Sequence, residues 1–214
     1  MTIFSGRFVV PFLATLLLVP PAGAAATARA MPAPISAADA RTALDGLAVA
    51  KRGTLHGYSH IRFMPEWAPQ RGACDTREIV LNRDGEAVRR DASCRVLAGI
   101  WYSRYDGKLL TSEAKIDVDH LVPLANAWRS GADTWTDARR HAFANDLIRP
   151  ELVTVSATAN IDKGGSTPIT WRPPVIGYWC TYARSWITVK RHYALRITKA
   201  EKAALIEMLD TCSP

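Results

Sequence analysis

The chain has 214 residues, of which 48% are hydrophobic and 22% are charged. This composition is typical of a globular protein, fits a single domain, and excludes a disordered or collagen-like chain. Lysine and arginine outnumber aspartate and glutamate by 27 to 20. The surplus of positive charge favours an anionic partner, such as a nucleic acid, a cell-wall polymer or a membrane surface, without selecting among them.

The first thirty residues predict a secretory signal peptide. One basic residue, Arg7, precedes an apolar run over residues 8–19, which is shorter than the roughly 20 residues of a membrane-spanning helix. Ala28-Arg29-Ala30 has the small-x-small pattern of a cleavage site. A short membrane anchor is the alternative. Cleavage after Ala30 removes two arginines and no acidic residue, so the secreted chain would keep 25 basic and 20 acidic side chains, a net charge of +5, and no membrane-spanning stretch.

All four cysteines follow the predicted cleavage site, and an even number in a secreted protein predicts disulfide bonds. Three pairings are possible for Cys74, Cys94, Cys180 and Cys212. We expect neighbours along the chain to pair, at separations of 20 and 32 residues. A zinc cluster is the alternative, but the sequence has no C-x-x-C or C-x-x-H spacing.

The N-terminal half predicts one helix followed by a β-rich region. Ser36 is placed to cap an amphipathic helix over residues 36–49. A loop-rich stretch follows, and then two apolar runs, at 78–82 and 95–101, flank a turn at 84–85. Apolar runs on either side of a turn predict a β-hairpin or meander.

The C-terminal half predicts strands and helices that end in a helical hairpin. Helical spacing and a capping pattern at Thr198 predict two antiparallel helices, which would bring the second pair of cysteines together. The elements expected in this half are, in chain order, a turn at 105–107, a strand ending near His120, helices at 124–128 and 136–145, a strand at 152–155, a short helix at 156–162, and helices at 179–193 and 198–209.

One segment has side chains suited to phosphodiester hydrolysis. Asp119 and His120 are adjacent at the end of a predicted strand, and Asn160 lies in the short helix after the next strand. Hydrolysis needs a base that is neutral near pH 7, and positive charge to offset the charge that develops on the phosphoryl and leaving oxygens. A hard divalent cation on one or two oxygen ligands provides that charge. His120 is the candidate general base, and Asp119 and Asn160 are the candidate ligands of Mg²⁺, with Mn²⁺ or Zn²⁺ as alternatives.

Two residues near this segment have more than one interpretation. Asp117 lies two residues before Asp119, on the same strand face. It either supports the metal ligands or is a solvated strand residue. Lys163 either contacts a substrate phosphate, supports the metal ligands, or is a cation at a helix end, where positive charge is favourable.

Two patterns frame the segment, Asp-His-Leu-Val-Pro at 119–123 and Asn-x-x-Lys-Gly at 160–164. They match the D-H-[IL]-x-P and N-x-x-K-G patterns of the HNH endonuclease superfamily. The chain closely resembles this superfamily, in particular a secreted bacterial branch related to the C-terminal domain of GmrSD-type restriction enzymes. The resemblance covers roughly Tyr58 to Cys212 and includes further segments at 74–78, 101–103, 105–107 and 171–174.

The resemblance implies a ββα-metal core of the HNH or His-Me finger type. Together with the elements predicted above, it gives an α+β fold with an N-terminal β-rich elaboration and a C-terminal helical hairpin. It implies that His120 is the general base and that Asp119 and Asn160 bind the metal. The regions expected are a signal peptide at 1–30, an N-terminal helix and linker at 31–57, and an HNH endonuclease domain at 58–214.

The chain departs from the superfamily at one position. The middle Asn of the pattern, which in many members braces the loop that holds the catalytic histidine, falls at Glu151. We expect the His120 ring to be supported instead by a backbone group or by another residue.

These observations predict a secreted endonuclease that cleaves DNA, with RNA as an alternative substrate, and without sequence specificity because no recognition module is visible. A non-catalytic secreted cationic protein that binds nucleic acid or cell-wall polymers is one alternative, but it leaves the spacing of Asp119, His120 and Asn160 unexplained. A zinc-dependent cell-wall hydrolase is another, and it would need a further histidine in the site.

Overall fold

The structure is a computed structural model that describes residues 1–2, 31–64 and 66–213. The predicted signal peptide lies outside the described residues except for its first two. The described residues form an α+β fold, and no helix within them is both long and apolar enough to cross a membrane. The helices are α1 (Ala37–Gly46), α2 (Thr76–Asp84), α3 (Leu124–Arg129), α4 (Asp137–Ala144), α5 (Ala157–Lys163), α6 (Trp179–Tyr193) and α7 (Lys199–Leu209). The strands are β1 (Gly85–Arg90), β2 (Val96–Tyr102), β3 (Leu109–Leu110), β4 (Ile116–His120) and β5 (Leu152–Ser156).

The strands form two separate antiparallel sheets. Strands β1, β2 and β3 make one sheet in that order, and β4 pairs with β5 in the other. In the second sheet Asp119 lies opposite Val153, and His120 lies opposite Leu152. Helix α5 follows β5 directly and contacts both strands. The chain between β4 and β5 contains α3 and α4, so a strand–strand–helix unit is interrupted by a helical insertion.

The predicted strand at 78–82 is wrong, because these residues lie in helix α2. The carboxylate of Asp75 accepts a hydrogen bond from the backbone N–H of Glu78 at 2.8 Å and so caps the first turn of the helix. The predicted turn at 84–85 is also wrong, because α2 ends and β1 begins there. An acidic residue three positions before a glutamate was the signal for a helix start.

The predicted hairpin is present but displaced along the chain. Strands β1 and β2 pair around a turn at 91–95. Helix α2 packs on this sheet through Val80 and Leu81, which are fully buried, and the indole N–H of Trp101 on β2 donates to the Leu81 carbonyl at 2.8 Å. The N-terminal elaboration is therefore a helix on a small sheet rather than a purely β-rich region.

The other predicted helices and the strand at 152–155 are confirmed. Four helices begin after a hydroxyl side chain that accepts a hydrogen bond from a backbone N–H three residues further on, which satisfies a donor that the helix leaves free. Helix α1 ends at Gly46, earlier than the predicted 49. The capping residues are Ser36 for α1, Thr136 for α4, Ser156 for α5 and Thr198 for α7.

Most buried apolar residues form one core around the C-terminal helical hairpin. Trp186 on α6 is fully buried there, and α1 packs against α6 and α7 with Ala40 and Leu44 buried. A smaller cluster lies between α2, β2 and β4. Strand β5 borders both, since Leu152 belongs to the smaller cluster and Val153 to the main core. The β4–β5 sheet is therefore held from two sides, which gives the end of β4 a defined position.

Both expected disulfide bonds are formed, and the described residues contain no free cysteine. The bond between Cys74 and Cys94 joins the segment before α2 to the segment before β2. The bond between Cys180 and Cys212 closes the hairpin of α6 and α7. Each bond restricts the unfolded chain and so favours the folded state.

Candidate active site

The end of β4, the start of α3 and helix α5 border a cleft of about 300 Å³, the active-site cleft. The three residues predicted to perform the chemistry all line it: His120 and Asp119 from the end of β4, and Asn160 from α5. Residues that precede α2 contribute further lining, namely Tyr58, His60, Met64 and Trp67. The fold thus brings together side chains that are 40 residues apart in the sequence.

The His120 ring is held at its Nε2 atom. This atom lies 2.8 Å from the backbone carbonyl oxygen of Ala144, which is among the last carbonyls of α4 and so lacks a partner within the helix. Because a carbonyl oxygen only accepts hydrogen bonds, Nε2 is the protonated nitrogen and Nδ1 is left with a free lone pair. The backbone group expected to support this ring is therefore the Ala144 carbonyl.

The face of the His120 ring packs on Trp67. The two rings are nearly parallel, with an interplanar angle of 9° and centroids 5.6 Å apart. The loop that contains Trp67 is anchored next to it, since the backbone N–H of Ala68 donates to Oδ1 of Asn145 at 2.9 Å. Asn145 directly follows Ala144, so one chain segment positions both the hydrogen-bond acceptor and the stacking partner of the catalytic candidate.

Burial lowers the pKa of His120 to about 4, and the positive charge of Lys163 adds to this shift. The Ala144 carbonyl opposes the shift because it stabilises the protonated ring. With the pKa below its ordinary value, the imidazole is neutral at pH 7. Neutral imidazole is the form in which a histidine can accept a proton from water.

The Asp119 carboxylate is buried and bound by two side chains. The ammonium of Lys163 lies 2.8 Å from Oδ2 and 3.0 Å from Oδ1, and the hydroxyl of Tyr105 donates to Oδ2 at 2.6 Å. Lys163 also donates to the backbone carbonyl of His120 at 2.9 Å. The Lys163 side chain is completely buried, which favours support of Asp119 over contact with a substrate phosphate.

Burial has the largest effect on the pKa of Asp119 and raises it. The Lys163 ammonium and the Tyr105 hydroxyl offset part of the shift because they stabilise the ionised form. The carboxylate thus depends on its two partners to remain charged in a buried position.

The side-chain amide of Asn160 is oriented by Asp117. Its Nδ2 donates to Oδ2 of Asp117 at 3.0 Å, across the contact between α5 and β4. The amide oxygen Oδ1 is thereby the end that is left for another partner. This contact favours the supporting role for Asp117 over that of a solvated strand residue.

The oxygen atoms of Asp119 and Asn160 fit a hard divalent cation. In the described part of the chain, no group of three His, Cys, Asp or Glu side chains is placed to hold a metal, and zinc sites use three or four such ligands. Mg²⁺ keeps several waters and takes one or two protein ligands together with substrate phosphate oxygens. An ion here would share the Asp119 carboxylate with the ammonium of Lys163.

Glu151, at the position of the missing Asn, lies under the loop that follows His120. Its side chain is fully buried, and Oε2 accepts a hydrogen bond from the backbone N–H of Val122 at 3.1 Å. Its backbone carbonyl accepts from the N–H of Leu121 at 2.7 Å. Burial raises the pKa of Glu151 well above its ordinary value, which favours the neutral carboxyl. Glu151 therefore braces the loop that follows His120.

The sequence did not reveal three groups of this site: the Tyr105 hydroxyl, the Trp67 ring and the Ala144 carbonyl. The predicted turn at 105–107 is present, with Gly107 at a φ of +73°. A turn pattern, however, does not indicate which distant carboxylate a tyrosine contacts. A backbone carbonyl has no side chain by which a sequence could mark it.

Similarity to a known family covers the region that contains this cleft. The family model of the C-terminal domain of GmrSD restriction endonucleases matches residues 75–208, a range that includes Asp119, His120 and Asn160. A protein of Arthroderma benhamiae named "Uncharacterized secreted protein" is 48% identical over 195 residues, which cover 88% of this chain and 95% of that protein. No solved structure matches the chain.

Proposed function

The chain belongs to the family of GmrSD restriction endonuclease C-terminal domains, and from this membership we propose that it is a metal-dependent endonuclease of the HNH type. Strands β4 and β5 with helix α5 are its ββα-metal core. The observation that supports this most is the shared cleft, in which a neutral, oriented His120 lies beside the oxygen ligands of Asp119 and Asn160.

We also propose that the chain is secreted through its signal peptide. The Arthroderma benhamiae relative is named as a secreted protein. Both disulfide bonds of the chain agree with an oxidising compartment, where such bonds form and persist.

In the proposed reaction, Nδ1 of His120 accepts a proton from a water molecule. The water oxygen forms a bond to phosphorus, the bond from phosphorus to the leaving oxygen breaks, and the leaving oxygen takes a proton from solvent. The Ala144 carbonyl stabilises the resulting imidazolium through Nε2–H. Stacking on Trp67 restricts the ring to the orientation in which Nδ1 is available. General base catalysis of this kind contributes about 10²–10⁴-fold to a rate.

Asp119 and Asn160 would hold the divalent cation, for which Mg²⁺ fits the oxygen ligands and Mn²⁺ is the alternative. When bound, such an ion supplies positive charge that offsets the negative charge developing on the phosphoryl and leaving oxygens. Lys163 and Tyr105 hold the Asp119 carboxylate, and Asp117 holds the Asn160 amide.

The proposed substrate is DNA, cleaved without sequence preference. The surplus of lysine and arginine favours a polyanion, because contacts to phosphates provide affinity but no sequence information. RNA is included in the test because the same contacts do not distinguish the two.

The test is cleavage of supercoiled plasmid and of RNA by the purified secreted chain, with Mg²⁺, Mn²⁺, Zn²⁺ or EDTA. We expect nicking and linearisation with Mg²⁺ or Mn²⁺ and none with EDTA. His120→Ala should lower the rate by about 10²-fold or more while its far-UV circular dichroism stays unchanged. His141→Ala, on α4 and outside the cleft, is the matched control and should cleave like the wild type.

Full activity of His120→Ala would overturn the assignment of the base. Cleavage that is unaffected by EDTA would overturn the metal dependence. Binding of DNA without cleavage under any of the metal conditions would favour the non-catalytic binding protein instead.

A further inference from the structure

A second cleft, of about 190 Å³, lies at the other end of helix α3. Four cationic side chains line this cleft, namely Lys51, Arg52, Arg129 and Arg196. We name it the basic cleft. Three of these side chains are largely exposed and Arg129 is partly buried. They come from three distant parts of the chain, so no local run of basic residues predicts the cleft.

The three segments that form the basic cleft are joined by backbone hydrogen bonds. One position depends on glycine, because a Cβ atom at Gly53 would lie 2.7 Å from the carbonyl oxygen of Arg129, closer than atoms can approach. The backbone that carries the four cationic side chains is therefore fixed by the fold. The backbone N–H of Ala50 donates to the carbonyl oxygen of Ile197 (2.9 Å), that of Gly53 to Arg129 (3.1 Å), and that of Arg196 to Ser130 (2.9 Å).

The positive charges of the basic cleft are not balanced by acidic partners. None of its four cations forms an ion pair within the described residues. The Nε atom of Arg129 is buried and has no hydrogen-bond partner in the described structure. Burial and the charge of Arg52 both lower the pKa of Arg129, so the cations repel one another. An anion in the cleft would relieve this repulsion.

One carboxylate also lines the basic cleft, but it is already neutralised. Glu201 is 2% exposed, and its Oε1 lies 2.6 Å from the ammonium of Lys190 and 2.7 Å from the indole nitrogen of Trp186. Thr198, also in the lining, caps α7, and the N-terminus of that helix adds partial positive charge. The net charge at the cleft surface is therefore positive.

The basic cleft and the active-site cleft lie at opposite ends of helix α3. Helix α3 begins at Leu124, which lines the active-site cleft, and ends at Arg129 in the basic cleft. Its length separates the two by roughly 8 Å at 1.5 Å per residue. The segment 164–170 borders both clefts, because Gly165 lines the active-site cleft and Thr167 lines the basic cleft. This distance is short enough for one nucleic-acid backbone to reach both clefts.

We propose that the basic cleft is a phosphate-binding subsite for the nucleic-acid backbone, separate from the site that holds the phosphate to be cleaved. The proposal rests on the proposed function, since it takes the active-site cleft as the point of cleavage. The subsite provides affinity and position along the strand, and no base recognition.

The test measures binding without cleavage. Fluorescence anisotropy with a labelled 20-base-pair duplex, in EDTA and over a range of NaCl concentrations, gives the salt dependence of affinity for three proteins. These are the wild type, the triple variant Arg52→Gln/Arg129→Gln/Arg196→Gln, and the control Arg89→Gln. Arg89 is an exposed cation on β1, outside the basic cleft. Each phosphate contact adds about one unit to the slope of log K against log salt.

We expect the triple variant to bind more weakly at low salt and to lose about one unit of slope per phosphate contact removed, while the control keeps the wild-type slope. A triple variant that binds like the control overturns the subsite. Retained duplex binding with lost binding to phosphatidylglycerol vesicles also overturns it and assigns the cleft to a membrane surface. Thermal unfolding of each variant verifies that the fold is intact, and Arg52→Gln/Arg196→Gln, which alters only exposed side chains, repeats the test if the triple variant is unfolded.

A second measurement separates this subsite from the active-site cleft. A nitrophenyl ester of thymidine 5′-phosphate has a single phosphate, the one that is cleaved, and so offers none to the basic cleft. We therefore expect kcat/KM for this substrate to be unchanged in the triple variant, while KM for an oligonucleotide rises. An equal loss on both substrates overturns the subsite. If the wild type cleaves nothing, the proposed function fails, but the binding experiment still decides the subsite.

Discussion

Among the residues that the structure describes, two buried lysine–carboxylate pairs occur, one beside each cleft. Lys163 pairs with Asp119 at 2.8 Å beside the active-site cleft, and Lys190 pairs with Glu201 at 2.6 Å beside the basic cleft. Both lysine side chains are completely buried. In each pair an aromatic side chain also donates to the carboxylate, and the lysine also donates to a backbone carbonyl. These partners are Tyr105 and the His120 carbonyl for the first pair, and Trp186 and the Arg196 carbonyl for the second.

The surroundings of the two pairs differ in charge, since one is neutral and the other is positive. Asp119 shares its cleft with the neutral His120 ring and the amide oxygen of Asn160, which suits a cation. Glu201 shares its cleft with four cations that form no ion pair in the described structure, which suits an anion. Because each buried pair is neutral as a unit, the groups around it decide the character of the cleft. A buried ion pair alone therefore does not identify a functional site.

The largest loss of stability is expected when the pair beside the basic cleft is broken. Lys190→Met leaves the Glu201 charge buried without its partner, and we expect a loss of about 3–5 kcal/mol in the free energy of unfolding. Denaturation in guanidinium chloride, followed by circular dichroism, measures it. Mg²⁺ should not restore stability, because the cations of the basic cleft repel it.

The double variant Lys190→Met/Glu201→Gln is the matched control. It removes both charges and keeps an acceptor for the Trp186 indole, so it should regain most of the lost stability. A loss below about 1 kcal/mol in the single variant would show that the pair contributes no more than an exposed one, and the comparison of the two pairs would fail.

A smaller effect is expected in the pair beside the active-site cleft. Lys163→Met removes charged hydrogen bonds to Asp119. Because burial already raises the pKa of this carboxyl, it can take up a proton when Lys163 is lost, so we expect a cost of about 1.5–3 kcal/mol in EDTA. Asp119 lines a cleft that suits a cation, so Mg²⁺ should restore stability, by about 2.7 kcal/mol at a hundredfold excess over its Kd. Thermal unfolding with and without Mg²⁺ measures this response.

The Mg²⁺ response of Lys163→Met should disappear when Asp119→Asn is added, since that change removes the charged ligand. If Mg²⁺ stabilised the Lys190→Met variant as strongly as the Lys163→Met variant, the two clefts would not differ in the way proposed.

The smallest effect is expected for Glu151, which holds the loop after His120, and it concerns the cleavage rate. Glu151→Gln keeps an acceptor for the Val122 N–H and should leave cleavage near the wild-type rate, because the native carboxyl is itself favoured in its neutral form. Glu151→Ala removes that acceptor, and we expect cleavage to fall by about tenfold, the scale seen when a supporting partner of a metal site is lost. Plasmid nicking rates measure both. Equal rates for the two variants would mean that the loop position does not depend on this side chain.

Local sequence signals were sufficient where a side chain acts on its own neighbours. The caps at Ser36 and Thr198 predicted helices that begin after those residues. The failure at 78–82 has a physical reason, since five apolar-rich residues are too few to distinguish the period of a strand from that of a helix. The cap at Asp75 decided the matter in favour of the helix.

The candidate site was predicted in part. The types and spacing of Asp119, His120 and Asn160 indicated the chemistry, and all three line one cleft. The expectation that a backbone group supports the His120 ring agrees with the Ala144 carbonyl. The brace of the following loop, however, comes from Glu151 itself, because burial favours its neutral carboxyl, which can accept a backbone hydrogen bond as an amide oxygen does.

The sequence by itself determined the starts of most helices, the even set of cysteines and the residue types at the centre of the site. These features depend on chemical type or on neighbours within a few residues. Only the tertiary structure decided which nitrogen of His120 is free, which partners hold Asp119, and that Arg52, Arg129 and Arg196 gather in one cleft. Such arrangements depend on contacts between distant segments, which the packing of the whole chain brings together at a cost in chain entropy.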